Sequence, residues 1–197
     1  ILASFYNPYK SHLVEPENRN DGWAVWALHS YQGASSISGS EIRMYDGSTK
    51  EIQDIQVGDV VKSYQPIGMP NTDLNFANWN TDDLDGSFFS GSVVVGKNES
   101  EASFYYTISG SNNKEYERHQ LSSTFVFDSG SDDYRFMPTW MLDPGDRMFD
   151  KDGNEITIVS KEDTFVDNPA TFYSLDVEDI DTYFTSDILV HNLPKKD

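Results

Sequence analysis

The sequence predicts an all-β protein with little helix, and three observations carry that reading. From Ser35 onward the chain is a succession of short runs in which β-branched and aromatic residues alternate with polar ones, the pattern of a strand with one face on a core. Turn dipeptides, Asp46-Gly47 and Asp152-Gly153, punctuate those runs. One pattern also occurs twice. "IQDIQVGDVVKSY" (52–64) and "PTWMLDPGDRMFD" (138–150) each read as an apolar residue, a short gap, Gly-Asp, then alternating apolar positions. Gly58 and Gly145 would supply the positive φ of a tight turn, and Asp59 and Asp146 would bond nearby backbone N–H groups. The echo predicts two related halves with a seam between them, where the chain ends meet and a site can form.

Along the chain, segment 1–34 is rich in aromatics and turn formers, and "WAVWALHSY" is its one convincing strand. The strands expected after it are "EIRMY", "VVKSY", "GSVVVG", "FYYTIS", "FVFD", "RFMP", "ITIVS", "TFYSLDV", "TYFT" and "DILV". Two acidic, weakly hydrophobic stretches, 71–87 and 128–133, read as exposed loops. "DKDGNE" (150–155) begins like a calcium loop but lacks the later ligands and falls where a hairpin turn is needed, so it is read as a turn.

A chain of 197 residues is enough for one well-buried core. Its 33 acidic and 14 basic residues give a formal net charge of −19, which repels phosphate backbones and anionic membrane surfaces, so neither nucleic acid nor membrane is an expected partner. There is no cysteine, which excludes disulfides, thiolate metal sites and a thiol nucleophile. No metal-ligand cluster or phosphate loop stands out, and no cofactor is expected. No run reaches transmembrane length, and the N-terminus lacks the order of a signal peptide. A soluble protein of unknown compartment is expected, with more polypeptide before Ile1; the three-residue sequon at Asn98 does not decide the compartment.

Near the end, "YFTSDILVHNLPKKD" places His191 and Asn192 side by side after an apolar run. An Asn side-chain amide can attack its own main-chain carbonyl, close a succinimide and cut the backbone when that peptide bond is polarised, and an adjoining His can do the polarising. The bland reading of the pair is a strand with a polar tip.

The order "SSISGSEIRMYDGSTKEIQDIQVGDVV", "PTWMLDPGDRMF" and "TFYSLDVEDIDTYFTSDILVHN" resembles the Hint domain shared by inteins, hedgehog autoprocessing domains and related bacterial and phage modules. The resemblance spans 35–192 and leaves 1–34 and the tail 193–197 as flanking segments. It implies a flattened, pseudo-twofold β-horseshoe with both junctions close together. It also implies a nucleophile at Ser35, with Ser36 the other register, a middle-motif Thr-x-x-His that assists it, and a closing His191-Asn192 pair that releases the downstream segment. The middle motif is not kept: its His slot falls near Ser123 or Thr124, while His119 comes a few residues earlier as either a shifted assistant or a solvated strand-end residue. Asp181 stands where many relatives have a His and some an Asp, and would orient a water or accept a hydrogen bond.

Leu193 offers no hydroxyl or thiol to receive an acyl chain, so ligation as the family performs it is blocked. With a weak serine nucleophile and no Thr-x-x-His, the sequence favours a degenerate, splicing-incompetent Hint domain. Such a domain would be a structural module of a larger protein, such as a phage tail or capsid part, with its own flanking segments and assembly partners as its contacts. The alternative is single-turnover autoprocessing: cleavage at Asn192-Leu193 by Asn cyclisation, with or without an N-to-O acyl shift at Ser35.

Overall fold

The computed structural model describes residues 36–70 and 79–192, which form thirteen strands and two single 3-10 turns. The strands are β1 Ser36–Ile37, β2 Glu41–Arg43, β3 Thr49–Glu51, β4 Val60–Gln65, β5 Asn80–Thr81, β6 Phe88–Gly110 and β7 Glu115–Arg118. They continue with β8 Ser123–Asp128, β9 Asp133–Pro138, β10 Arg147–Phe149, β11 Glu155–Val177, β12 Thr182–Thr185 and β13 Ile188–His191. The main path of the sheet runs β3-β2-β12-β13-β8-β10-β11-β1-β7-β6-β4, and every pairing is antiparallel. The all-β expectation holds. Strand "WAVWALHSY" and the flanking segments 1–34 and 193–197 lie outside the described residues.

Two expected pairs of short strands are single long ones. "GSVVVG" and "FYYTIS" belong to β6, "ITIVS" and "TFYSLDV" to β11, each 23 residues long. The two run antiparallel from Ile158↔Gly110 to Val177↔Val94. Between Phe165↔Phe104 and Ala170↔Ala102 four residues face one, a bulge that absorbs Pro169, a residue unable to donate to the ladder. The acidic stretch 71–87 is not wholly loop, since Asn80 and Thr81 pair with Arg135 and Tyr134. The hairpin turn expected at 150–155 is present: the Asp150 carboxylate accepts the N–H groups of Asp152 and Asn154.

The sequence echo is a structural repeat. Gly58 and Gly145 have φ of 97° and 98°. Asp59 accepts the N–H of Gln56 at 2.8 Å, and Asp146 that of Asp143 at 2.8 Å. The Gly58 N–H donates to Val94 and the Val94 N–H to Asp59, just as Gly145 donates to Ile158 and Ile158 to Asp146. Each Gly-Asp turn follows a 3-10 turn, Ile52–Asp54 or Thr139–Met141. Equivalent residues serve opposite cores: Ile55 and Val61 pack in one cluster, Leu142 and Met148 in the other.

The β12-β13 hairpin is the seam. Alternation sends Phe184 and Leu189 into one cluster and Tyr183 and Val190 into the other. β12 pairs with β2 through Thr185↔Ile42, and β13 with β8 through His191↔Ser123 and Val190↔Thr124. Its two-residue turn, Ser186-Asp187, has positive φ at both positions, 48° and 61°, the geometry that matches strand twist but disfavours side chains. A bidentate ion pair from Arg43 Nε and Nη2 to the Asp187 carboxylate, at 2.9 and 3.0 Å, holds it there.

Candidate active site at the end of the hairpin

The seam delivers His191 and Asn192 together at the end of β13, both within the interior at 5 % and 1 % exposure. His191 Nδ1 lies 2.5 Å from the Asn192 main-chain carbonyl oxygen. Because a carbonyl only accepts, the proton sits on Nδ1. Burial holds the His191 pKa down at about 4, so at neutral pH the ring is an uncharged donor aimed at the oxygen of the bond to Leu193. The ring stands edge-on to Phe136, centroids 5.1 Å apart, which fixes its plane. The Asn192 side-chain oxygen is buried without a hydrogen-bond partner.

Asp181 meets this pair through its backbone: the Asn192 N–H donates to the Asp181 carbonyl oxygen at 2.8 Å. The Asp181 carboxylate accepts the Val177 N–H at 3.3 Å. Burial, and then the neighbouring Asp176, push the Asp181 carboxyl up to about 7, against the lowering effect of the Val177 N–H.

His119 is not a solvated strand-end residue. It is 7 % exposed, its Nδ1 accepts the Leu121 N–H at 3.1 Å, and its ring stands edge-on to Phe172. Its proton therefore sits on Nε2, the opposite tautomer to His191, and burial holds its pKa at about 4. Ser123 and Thr124, where the middle motif's His slot was expected, are buried with side-chain oxygens that have no partner, as have Ser122 and Gln120. Unpaired buried hydroxyls are uncommon. Register places Ser123 directly across from His191.

Ser35 lies outside the described residues. Its neighbour Ser36 is fully buried, paired across the sheet with Arg118 and Tyr173, and donates from Oγ to Thr185 Oγ1 at 2.8 Å. Sequence reasoning passed over Arg118, whose only signal was its place beside His119. Among the described residues no group of three or more His, Asp or Glu is placed to hold a metal ion.

No protein-family model and no curated protein sequence matches the chain. Solved structures do. The chain is similar to a bacterial intein-like domain from Clostridium thermocellum, with 19 % identity and a TM-score of 0.63 over 82 % of this chain and all of that one. It is similar to the gp41-1 intein, with 20 % identity and a TM-score of 0.55 over the same shares. It also resembles a DnaB intein from Synechocystis sp. PCC 6803, with 14 % identity and a TM-score of 0.59, again over 82 % of this chain and all of that one. The fold is therefore that of an intein-like Hint domain.

Proposed function

We propose that the domain cuts its own chain at the Asn192-Leu193 peptide bond by asparagine cyclisation, without ligation. The observation that carries this is the 2.5 Å contact from His191 Nδ1 to the Asn192 carbonyl oxygen inside a buried seam. In the reaction Asn192 Nδ2 attacks the Asn192 main-chain carbon. The new C–N bond closes a succinimide, and negative charge builds on the carbonyl oxygen, where the Nδ1–H is already placed. The bond to the Leu193 nitrogen then breaks, and the proton lost by Nδ2 ends on that nitrogen as the new terminal amine. The amide and its target belong to one residue, so proximity is built in.

Likeness in fold to inteins supports this reading, and Leu193 limits it, because a leucine cannot take up an acyl group. The contact between His191 and the Asn192 carbonyl oxygen supports this reading over the purely structural module that the degenerate motifs favour. The test is intact-mass spectrometry over days on the full chain. A growing fragment that ends in a succinimide at Asn192, absent in Asn192→Ala, is the expected result. An unchanged mass in a folded sample would return the domain to a scaffold role.

A further inference from the structure

The β12-β13 hairpin is fastened at both ends, by different devices. At its turn end β12 joins β2, through Thr185↔Ile42 and from the Ser186 N–H to the Glu41 carbonyl oxygen. At its other end β12 meets β4, the last strand on the sheet path beyond β6. There the Ser63 hydroxyl donates to the Thr182 carbonyl oxygen at 2.7 Å. The Thr182 hydroxyl in turn accepts the Tyr64 N–H at 3.3 Å and donates to the Tyr64 carbonyl oxygen at 2.8 Å. Ser63 and Thr182 are fully buried and Tyr64 nearly so.

A hydroxyl can accept and donate at once, so one side chain serves both backbone groups of Tyr64. A strand edge buried against another element needs such a partner, because unpaired N–H and C=O groups in the interior are destabilising. Thr182 also sits directly across the ladder from His191. The residue before it, Asp181, holds the Asn192 N–H at 2.8 Å. Beside that bonded pair, Thr182 and His191 form the kind of pair whose facing side chains stand closest. On the other side of β13 the ladder to β8 ends at His191↔Ser123. Asn192 lies one residue beyond that end, held by the Asp181 carbonyl next to the Thr182 clamp.

From this geometry we infer that Thr182 is a positioning residue for cleavage at Asn192: its hydroxyl, locked to the Tyr64 backbone, fixes the start of β12 and with it the approach of His191 Nδ1 to the Asn192 carbonyl oxygen. It acts through the hairpin, not on the reacting atoms. Its chemical meaning rests on the cleavage reading, but the contact it sets exists whether or not the bond is cut. A misplacement of about 1 Å between reacting groups slows a reaction by about 100-fold, and that is the scale on which a loosened clamp is felt.

The test uses the full chain labelled with ¹⁵N-histidine, with Asn192→Ala, which keeps the chain intact and leaves the main-chain carbonyl in place. The His191 Nδ1–H resonance is assigned by its loss in His191→Gln. Thr182→Val, which keeps the shape and removes the hydroxyl, should move that resonance upfield or broaden it away, and Thr182→Ser should leave it in place. Gly58→Ala, a strained turn elsewhere in the fold, should not move it either. If Thr182→Val does not fold, Ser63→Ala, which deletes only the bond to the Thr182 carbonyl, should shift the resonance in the same direction by less. With Asn192 restored, Thr182→Val should slow release by about 10- to 100-fold and Thr182→Ser should stay within about threefold of the parent. A resonance unmoved in the folded Thr182→Val chain, or in Ser63→Ala where that chain does not fold, would overturn the inference, as would an equal shift in Gly58→Ala. A parent chain that releases nothing would count against the cleavage reading, and the resonance alone would then decide whether Thr182 sets the contact.

Discussion

The main-chain carbonyl oxygen of Asp181 holds the N–H of Asn192 at 2.8 Å, so the residue at the proposed cleavage site is anchored to one whose own side chain is sensitive to pH. Asp181 sits at φ 51° between β11 and β12 and shares its surroundings with Asp176.

That anchor gives a stability prediction. The Asp181 pKa is raised to about 7 in the fold from an ordinary 3.8. Between those values the native state binds more protons than the unfolded chain, so this residue's effect is to lower stability as pH rises from about 4 to 7. Asp181→Asn keeps the shape, tolerates a positive φ and removes the charge. It should flatten that slope and raise stability at pH 8 by roughly 1–2 kcal/mol, the shift being discounted for partial exposure. Urea unfolding of both proteins at pH 5 and pH 8 is the check, and an unchanged difference between the two pH values would refute it.

The two buried imidazoles act in the opposite sense. His119 and His191 have folded pKa values of about 4 against 6.5 in the unfolded chain. Unfolding takes up protons in that window, and stability is lost as pH falls from about 6.5 towards 4. Two rings outweigh one carboxyl, so the domain should weaken on acidification through that range. In proton NMR, neither ring should titrate above about pH 5 while the fold persists; a ring titrating near 6.5 would mean it is solvated.

For cleavage, the same burial predicts a rate that does not follow imidazolium formation. His191 acts as a neutral Nδ1–H donor, so the rate of release at Asn192 should be level between about pH 5.5 and 8 as far as this ring is concerned. His191→Ala should slow release by about 10²- to 10⁴-fold. His119→Gln should leave release at Asn192 much less affected, since the Nδ1 of His119 is committed to the Leu121 N–H. Equal losses in both variants would argue that His191 acts through folding alone.

Much of this was legible in the residues, and the failures have physical causes. The Gly-Asp echo was readable because a positive φ selects glycine and the adjoining Asp caps the turn. β12 and β13 were readable because each is short and apolar. The middles of β6 and β11 were not: "KNESEAS" (97–103) has no fully buried residue, so no apolar alternation marks it. His191 and Asn192 announced themselves by chemistry. The burial of His119 did not, because its polar neighbours Gln120, Ser122 and Ser123 are themselves buried, and composition alone marks such a segment as surface. Arg118 was missed for the same reason.

The repeat offers a control within one molecule. Gly58 and Gly145 share nearly the same φ, 97° and 98°. A Cβ at Gly58 would meet nothing within 4 Å, and one at Gly145 would come no nearer than 3.6 Å, to Ser129 Oγ. Replacement by Ala is therefore strained by backbone alone, and each variant should cost about 1–2 kcal/mol, equal within error. The aspartates beside them differ. Asp59 is partly exposed and takes the Gln56 N–H and the Lys50 ammonium. Asp146 is fully buried and takes the Ser129 N–H, the Ser129 hydroxyl and the Asp143 N–H. Its removal takes a buried acceptor from three donors at once. Asp146→Ala should cost roughly 2–4 kcal/mol and Asp59→Ala about 1 kcal/mol. Four denaturant curves settle it: matched glycines with unmatched aspartates are expected, and matched aspartates would show that burial at Asp146 carries no energetic weight.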